Sequence, residues 1–297
     1  MPLLECVPNI SEGRDLAAVA RLADAAARVP GVRVLDRHSD PVHHRSVLTL
    51  VGAADPLRAA VLALFEATLA EVDISAHRGA HPRIGAIDVV PFVPLTGATM
   101  ADAVAAARAT GAEVAARFAV PVFLYEAAAT QSGRRALQDV RRGQFEGLAD
   151  KLRRREWQPD FGPAVPHPRL GAVAIGARGV LVAYNITLAT TRLDVARRVA
   201  AAVRESSGGL PCVKALGLAL PDRGVVQVSM NLTDIDRTSL ADVFDAVTRE
   251  AARDGVEVLE SEVVGLLPAR ALLGAATRYL RLPRFGAERL LEGRLEP

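Results

Sequence analysis

An α+β fold built from two β-α-β-β-α-β units is what this sequence predicts, and three observations carry that expectation. Half of the residues are hydrophobic but only 4% are aromatic, so the core must come mainly from Ala, Val and Leu, as suits helices packed on sheets. Short apolar runs alternate with amphipathic ones along the whole chain. The order of these runs over residues 1–93 returns over residues 180–267.

Residues 3–9 form an apolar run closed by Pro8-Asn9, and the Ser11-Glu12-Gly13 turn leads into a helical pattern over residues 16–29. Residues 32–36 make the next strand, 38–44 a polar loop containing Pro41, and 46–51 a strand of alternating apolar and polar residues. Asp55-Pro56 opens a helix that runs to about residue 72, with Pro at the first helical position, where its missing N–H does no harm. A histidine-rich loop and a strand over 84–93 complete the first unit. The second unit reads as strand 180–187, helix 194–205, strands 212–220 and 225–232, helix 240–254 and strand 256–267. Both halves join their middle strands through a polar segment with proline, so an internal duplication of the split β-α-β, or ferredoxin-like, arrangement is expected. A doubly wound parallel sheet is the competing arrangement for alternating strands and helices.

Helix 100–118, strand 120–125 and helical stretches 134–140 and 146–155 extend the first unit, which gives domains of 1–178 and 179–297. Residues 157–171 contain Pro159, Pro163, Pro166 and Pro168 and can be neither helix nor central strand. They are either a spacer or, with Trp157, Asp160 and Phe161, the lining of a ligand cleft.

Composition excludes several classes. Basic residues (36) nearly balance acidic ones (34), and a net charge of +2 exerts no general pull on nucleic acid. Cys6 and Cys212 are too few and too far apart for a disulfide framework or a cysteine metal site, which points to a reducing compartment and the cytoplasm. The first nine residues carry Glu5 and no basic stretch, unlike a secretory signal. No window approaches the ~18 consecutive apolar residues of a spanning helix, so a soluble protein without membrane attachment is expected.

The chemistry concentrates in residues 76–92, where His77, Arg78, His81 and Arg83 run straight into an apolar strand. Five of the six histidines (His38, His43, His44, His77 and His81) precede that strand, and imidazole exchanges protons near neutral pH. His77 and His81 have the spacing of a zinc-protease helix, but Gly79 and Pro82 interrupt a helix and Arg78 stands where the general-base Glu belongs; no metal is expected. Gly171, Gly176 and Gly179 have neither dinucleotide nor Walker spacing, and no Gly-x-Ser-x-Gly elbow occurs. Cys6, inside an apolar strand, reads as packing.

General acid–base catalysis by histidine remains. Adjacent arginines disfavour the imidazolium, whereas Asp36, Asp40 or Asp88 would favour it and orient the ring. His81, held before the rigid Pro82, is the leading candidate; His43 and His44 read equally well as satisfied polar residues at strand ends, and His77 as support. Ser11, Glu12 and Gly13 either cap the first helix or, with Asn9, offer N–H groups to a substrate carboxylate. Arg45 and Arg178 are either surface charges or carboxylate clamps.

Several long motifs stand in fixed order: Glu5-Cys-Val-Pro-Asn-Ile-Ser-Glu-Gly13, Arg45-Ser-Val47, His81-Pro-Arg-Ile-Gly-Ala-Ile-Asp-Val-Val-Pro-Phe92, Trp157-Gln-Pro-Asp-Phe-Gly-Pro163, Gly176-Ala-Arg178, Tyr184-Asn-Ile186 and Gln227-Val-Ser-Met-Asn231. Through them the chain closely resembles, nearly end to end, the formiminotransferase family, the glutamate formimidoyltransferases of histidine breakdown and tetrahydrofolate one-carbon metabolism. The resemblance implies two ferredoxin-like subdomains, a folate cleft or tunnel between them, and a homodimer. It implies His81 as catalytic acid/base and a folate-lining segment of Gly162, Pro163, Ala164, Val165, Pro166, His167, Pro168, Arg169, Leu170 and Gly171.

Asn9, His38, Asp40, Arg45 and Arg178 are the substrate-binding residues expected with it. Animal members have Asp where this chain has His38, so a carboxylate role there either passes to Asp40 or is absent. The implied reaction moves a formimino group from N-formimino-L-glutamate to N5 of tetrahydrofolate, the co-substrate. Formyl transfer from N-formylglutamate and folate binding without turnover are the alternatives. Bifunctional members continue into a cyclodeaminase domain, and with its end at Pro297 this chain is expected to lack that second activity.

Overall fold

Pro8 sets the geometry of the first strand, because a residue without an N–H cannot continue a ladder on both sides. In the computed structural model, which describes residues 2–79, 82–282 and 286, the expected run over 3–9 is two short strands, β1 (Leu4–Cys6) and β2 (Asn9–Ile10). Both lie between β4 (Arg45–Gly52) and β5 (Ile87–Pro94), antiparallel to each, so together they act as one interrupted strand. The chain divides into two compact units, Met1–Gly179 and Val180–Pro297.

In the first unit, β3 (Val32–Asp40) pairs with β4, and the sheet continues past β5 to β7 (Val173–Ala177) and β6 (Val122–Glu126), which run parallel to it. Helices α1 (Leu16–Ala27), α2 (Ala54–Glu71) and α3 (Met100–Phe118) cover one face, burying Cys6, Ile10, Leu48, Leu50, Val90 and Phe92. Under β5, β7 and β6, the other face is packed by α4 (Leu137–Arg141) and α5 (Leu148–Leu152), whose Val140, Leu148 and Leu152 meet Val89, Phe123 and Ala174.

The second unit runs β8 (Val182–Leu188), α6 (Leu193–Val203), β9 (Val213–Leu220), β10 (Val225–Leu232), α7 (Leu240–Ala252) and β11 (Val258–Val264). Its strands are ordered β11-β8-β10-β9, all antiparallel. That is fourth, first, third, second in chain order, and β5, β1/β2, β4 and β3 repeat it in the first unit. The α+β, ferredoxin-like expectation therefore holds in both.

Several local expectations are corrected. β3 continues through His38 to Asp40, so the polar loop shrinks to residues 41–44 and His38 is a strand residue. Helix α2 starts at Ala54, so Pro56 occupies its third position, still within the first turn of unpaired N–H groups. β5 begins at Ile87 rather than Ile84, because the Ile84 N–H is taken by the Asp88 carboxylate at 2.8 Å. The small-residue strand β7 and the helix α8 (Ala269–Tyr279) were not expected. Ser11 does not cap α1: Asp15 accepts from Ala18 N, and the Ser11 hydroxyl donates to Gly85 O at 2.7 Å.

The start of the proline-rich segment is structural. Asp160 accepts from Arg134 Nη1 at 3.0 Å and from Leu124 N at 2.8 Å, while the Arg134 guanidinium stacks over Phe123 and Trp157. Phe161 packs on the helix-covered core. Trp157, Asp160 and Phe161 thus tie the segment to β6 instead of lining a cleft. Arg134 is 1% and Asp160 6% exposed, and removing one charge of such a pair strands the other. Asp160→Asn should lower unfolding free energy by about 3–5 kcal/mol in a denaturant titration, and a loss under ~1 kcal/mol would refute this anchoring.

Candidate active site

Alternation along a strand decides which side chains share a face. His38, Val47, Asn9 and Val89 are successive cross-strand partners from β3 through β4 and β2 to β5, and Asp40 faces Arg45 one pair further on. Their neighbours Leu48, Leu50 and Ile10 point into the helix-covered core. Asp36, His38, Asp40, Arg45, Thr49, Asn9 and Glu5 consequently stand on the opposite face of the same sheet.

Of the sequence-derived substrate residues, four meet there. Asn9 is half-buried, and its amide donates to Val7 O at 2.9 Å. His38 is half-buried on the edge strand. Arg45 has Asp40, Asp88 and Arg141 around it, and burial first, then repulsion from Arg141, lowers it to about 10, which leaves it charged at neutral pH. Asp40 closes the β3–β4 turn: Oδ1 accepts from Val42 N (2.8 Å) and His43 N (2.9 Å), and Oδ2 is 2.5 Å from His43 Nδ1. Burial pushes its carboxyl up, but the His43 imidazole and these N–H groups outweigh burial and hold it at about 2.

Arg178 enters further along the same strand. Its backbone N–H donates to Phe92 O, three residues, or about 10 Å at ~3.3–3.4 Å per residue, from Val89, the partner of Asn9. Beside it are Glu5, whose carboxyl burial pushes up against the pull of Arg178, and Tyr125, which burial raises to about 12.

Next to the β3–β4 turn lies the histidine loop. His81 and the preceding Ala80 fall outside the described residues, but their flanks are fixed. His77 is 3% exposed; its Nε2 donates to His44 O at 2.8 Å and its Nδ1 accepts from Arg83 Nε at 3.0 Å, so it is the neutral tautomer. Burial lowers its pKa, and the charges of His44 and Arg83 act in the same direction. A Cβ on Gly79 would come within 2.5 Å of His43 O, so only glycine lets the loop lie on the turn.

His44 stacks on His77 at 4.3 Å and faces two oxygens, Arg78 O (3.2 Å) and Glu12 Oε1 (3.1 Å). Glu12 Oε1 also accepts from the N–H groups of Gly13, Arg14 and Asp15, so the chain's own carboxylate occupies the helix entrance suggested for a substrate. Arg83 pairs with Glu146 at 2.6 Å and so tethers the far flank of the loop.

The folate-lining candidates form one exposed bend anchored at its end. Gly162, Ala164, Val165, Pro168 and Arg169 are exposed, Val165 by 61%, and Pro163, Pro166 and His167 are half-buried. His167 and Gly171 exchange backbone hydrogen bonds of 2.9 and 2.8 Å, and His167 Nδ1 accepts from Arg169 N and Leu170 N. Leu170 is core, and Gly171 lies against Gly85. Residues 167–171, 77–79, 82–85, 9–15 and 40–45 therefore converge at one end of the sheet. Sequence reasoning missed that Asp88 is held by Arg141 and that His43 is held by Asp40; the Asp40-x-x-His43 spacing within a turn was the available signal. Among the described residues, no group of three or more His, Cys, Asp or Glu side chains is arranged to hold a metal, and no helix is long and apolar enough to cross a membrane.

Two family descriptions match this chain: "Formiminotransferase domain, N-terminal subdomain" over residues 3–178 and "Formiminotransferase domain" over residues 183–285. The chain belongs to the formiminotransferase family. Among its relatives, a protein of Streptococcus pyogenes serotype M1 named glutamate formimidoyltransferase is 42% identical over 95% of each chain. A Thermoplasma acidophilum protein of the same name is 43% identical over 100% of this chain and 98% of its own. The formimidoyltransferase-cyclodeaminase of Sus scrofa is 42% identical over 93% of this chain and 52% of its own length.

The Arg83–Glu146 tether of this formiminotransferase has a pH signature. Arg83 holds the Glu146 carboxyl at about 2, below its ordinary 4.5, so the pair stabilises the fold above pH 4.5 and progressively less as pH falls towards 2. The melting-temperature difference between wild type and Glu146→Gln should shrink steadily on acidification below about pH 4.5. A pH-independent difference would contradict the tether.

Proposed function

We propose that this chain is a glutamate formimidoyltransferase, moving the formimino group of N-formimino-L-glutamate to N5 of tetrahydrofolate and releasing 5-formiminotetrahydrofolate and L-glutamate. The observation that carries the reading is the near full-length likeness to relatives of that name at 42–43% identity. Site chemistry supports it. Transfer between two nitrogens needs a proton taken from the attacking amine and one given to the departing amine, and His81 is the acid/base of this reading.

Arg45, with Asn9, His38 and Asp40 beside it, serves the glutamate end, where a guanidinium pairs with carboxylates. Folate lies along Gly162, Pro163, Ala164, Val165, Pro166, His167, Pro168, Arg169, Leu170 and Gly171, where an exposed, proline-stiffened bend loses little freedom on binding. Arg178, further along β5, suits the far end of an extended substrate, such as the glutamate tail of folate.

Two measurements test the reading. Incubation with tetrahydrofolate and N-formimino-L-glutamate, followed by absorbance, should give the formimino product, and N-formylglutamate should be the poorer donor; folate binding without turnover would overturn it. His81→Ala should then cut turnover roughly 10²–10⁴-fold with folate binding retained, and unchanged turnover would remove His81 from its role.

We also infer a homodimer working in the cytoplasm; the free thiols of Cys6 and Cys212 suit a reducing compartment. Light scattering behind a sizing column should report twice the 31.4 kDa chain mass, and a monomer at micromolar concentration would refute the dimer.

A further inference from the structure

Gly176 leaves open the space that Tyr125 occupies. The two residues are partners in the parallel β6–β7 pair, and a Cβ on Gly176 would come within 2.5 Å of Tyr125 Cδ1 and 2.7 Å of its Cε1. The ring therefore lies across β7, on the face that Val89 and Phe123 share and the helices α1, α2 and α3 do not cover. Tyr125 is 2% exposed, and burial, outweighing the nearby Arg178 and Arg141, raises its phenol to about 12, so the hydroxyl stays neutral. A phenylalanine would fill the same space. What the hydroxyl adds is a hydrogen bond with the Arg178 side chain, whose N–H groups donate.

Arg178 follows Gly176 by two residues and so stands on the same face. Its Nη1 donates to Gly179 O at 2.9 Å. Arg83, Arg134 and Arg141 of the same unit each hold a carboxylate, those of Glu146, Asp160 and Asp88. Among the described residues, Arg178 pairs with none. Glu5, between the core residues Leu4 and Cys6, stands on that face too and feels the charge of Arg178, but no hydrogen bond or ion pair joins them. A guanidinium fixed by Tyr125 and Gly179 presents its remaining N–H groups as a rigid fork, the shape that matches a carboxylate.

We propose that Tyr125 is a positioning residue for substrate recognition: it aims Arg178, which clamps the glutamate part of tetrahydrofolate and so distinguishes that folate from one without glutamate. This rests on the formimidoyltransferase reading above. Neither residue touches the transferred group, and Tyr125 acts only through Arg178. Because the fork is aimed beforehand, less side-chain freedom is lost when the carboxylate arrives.

The test compares tetrahydrofolate with tetrahydropteroate, the same molecule without its glutamate, by anaerobic calorimetry and by steady-state formimino transfer, for wild type, Tyr125→Phe and Arg178→Gln. Wild type should bind tetrahydrofolate the more tightly. Arg178→Gln should remove roughly 10–100-fold of affinity for tetrahydrofolate and Tyr125→Phe about 3–10-fold, while both leave tetrahydropteroate binding in place. In transfer, Tyr125→Phe should raise KM for tetrahydrofolate without changing kcat or KM for N-formimino-L-glutamate. A hydroxyl that only stabilised the fold would weaken both folates alike, and that result overturns the proposal, as does an unchanged preference. Should Tyr125→Phe not fold, Arg178→Gln decides: a lost preference supports the clamp and a retained one overturns it. If wild type binds folate but transfers no formimino group, the transferase reading fails, and the binding comparison still judges Tyr125.

Discussion

One chain of side chains holds the candidate site: Glu12, His44, His77, Arg83 and Glu146, each bonded to or stacked on the next. The hydrogen bonds dictate its pairings. Glu12 is anionic under three N–H groups, and the His44 ring faces an oxygen at each of its nitrogens. His77 must stay neutral to accept from Arg83, and Glu146 balances Arg83. Two stacked imidazolium rings would repel, so the neutrality of buried His77 is what permits the stack. The chain starts before α1, crosses the β3–β4 turn, runs along the histidine loop and ends before α5, so it joins four segments distant in sequence. Burial of Leu and Val on the helix side stabilises the sheet, but it does not orient these loops; charge-assisted hydrogen bonds, about 1.5–3 kcal/mol each, do.

The same arrangement explains what was legible in the sequence. Helices α3 and α7 and strand β10 are long periodic stretches with strong ends, including the Thr99–Asp102 and Ser239–Asp242 capping boxes, and the sequence-based bounds lie close to theirs. Strand β7, Val-Ala-Ile-Gly-Ala, was missed because Ala and Gly have little strand preference; it is a strand because it lies buried between two others. The ionisable residues of the site were visible as a cluster, but their pairing was not. Trp157 and Asp160 looked like ligand contacts because aromatic and acidic residues near prolines are common in clefts, and the basic partner that claims them, Arg134, is more than twenty residues away in sequence. Glu12 was read as a neighbour of a helix entrance and is instead its occupant.

The sharpest misreading, the end of β3 at Asp36, has a definite cause. Strand Val32–Asp40 carries a register shift between Val34 and Asp36, so Leu35 is an extra residue and is 41% exposed. In a single sequence, the break in alternation looks like the end of a strand. In the sheet it is a bulge that turns the strand's phase over.

That phase change is what makes a site on this sheet possible. Val32 and Val34 must face the helix-covered core, opposite Gly52 and Leu50. With unbroken alternation, Asp36, His38 and Asp40 would follow them into that core, where three ionisable groups among Leu and Phe would each need a partner or lose their charge. The extra residue sends them to the opposite face, beside Arg45 and Asn9. A second shift on β5 does the same work from the other side. Asn9 pairs with Val89 but Ile10 with Ile87, so Asp88 is the extra residue; Ile87 stays in the helix-side core, Val89 joins the opposite one, and Asp88 reaches Arg141. Two single-residue bulges, flanking β4 and β2, thus convert a sheet with one apolar face into one whose second face carries paired charges at a single end. The chemistry depends on them as much as on the histidines, because without the first bulge Asp40 would not share a face with Arg45 at the turn where it holds His43.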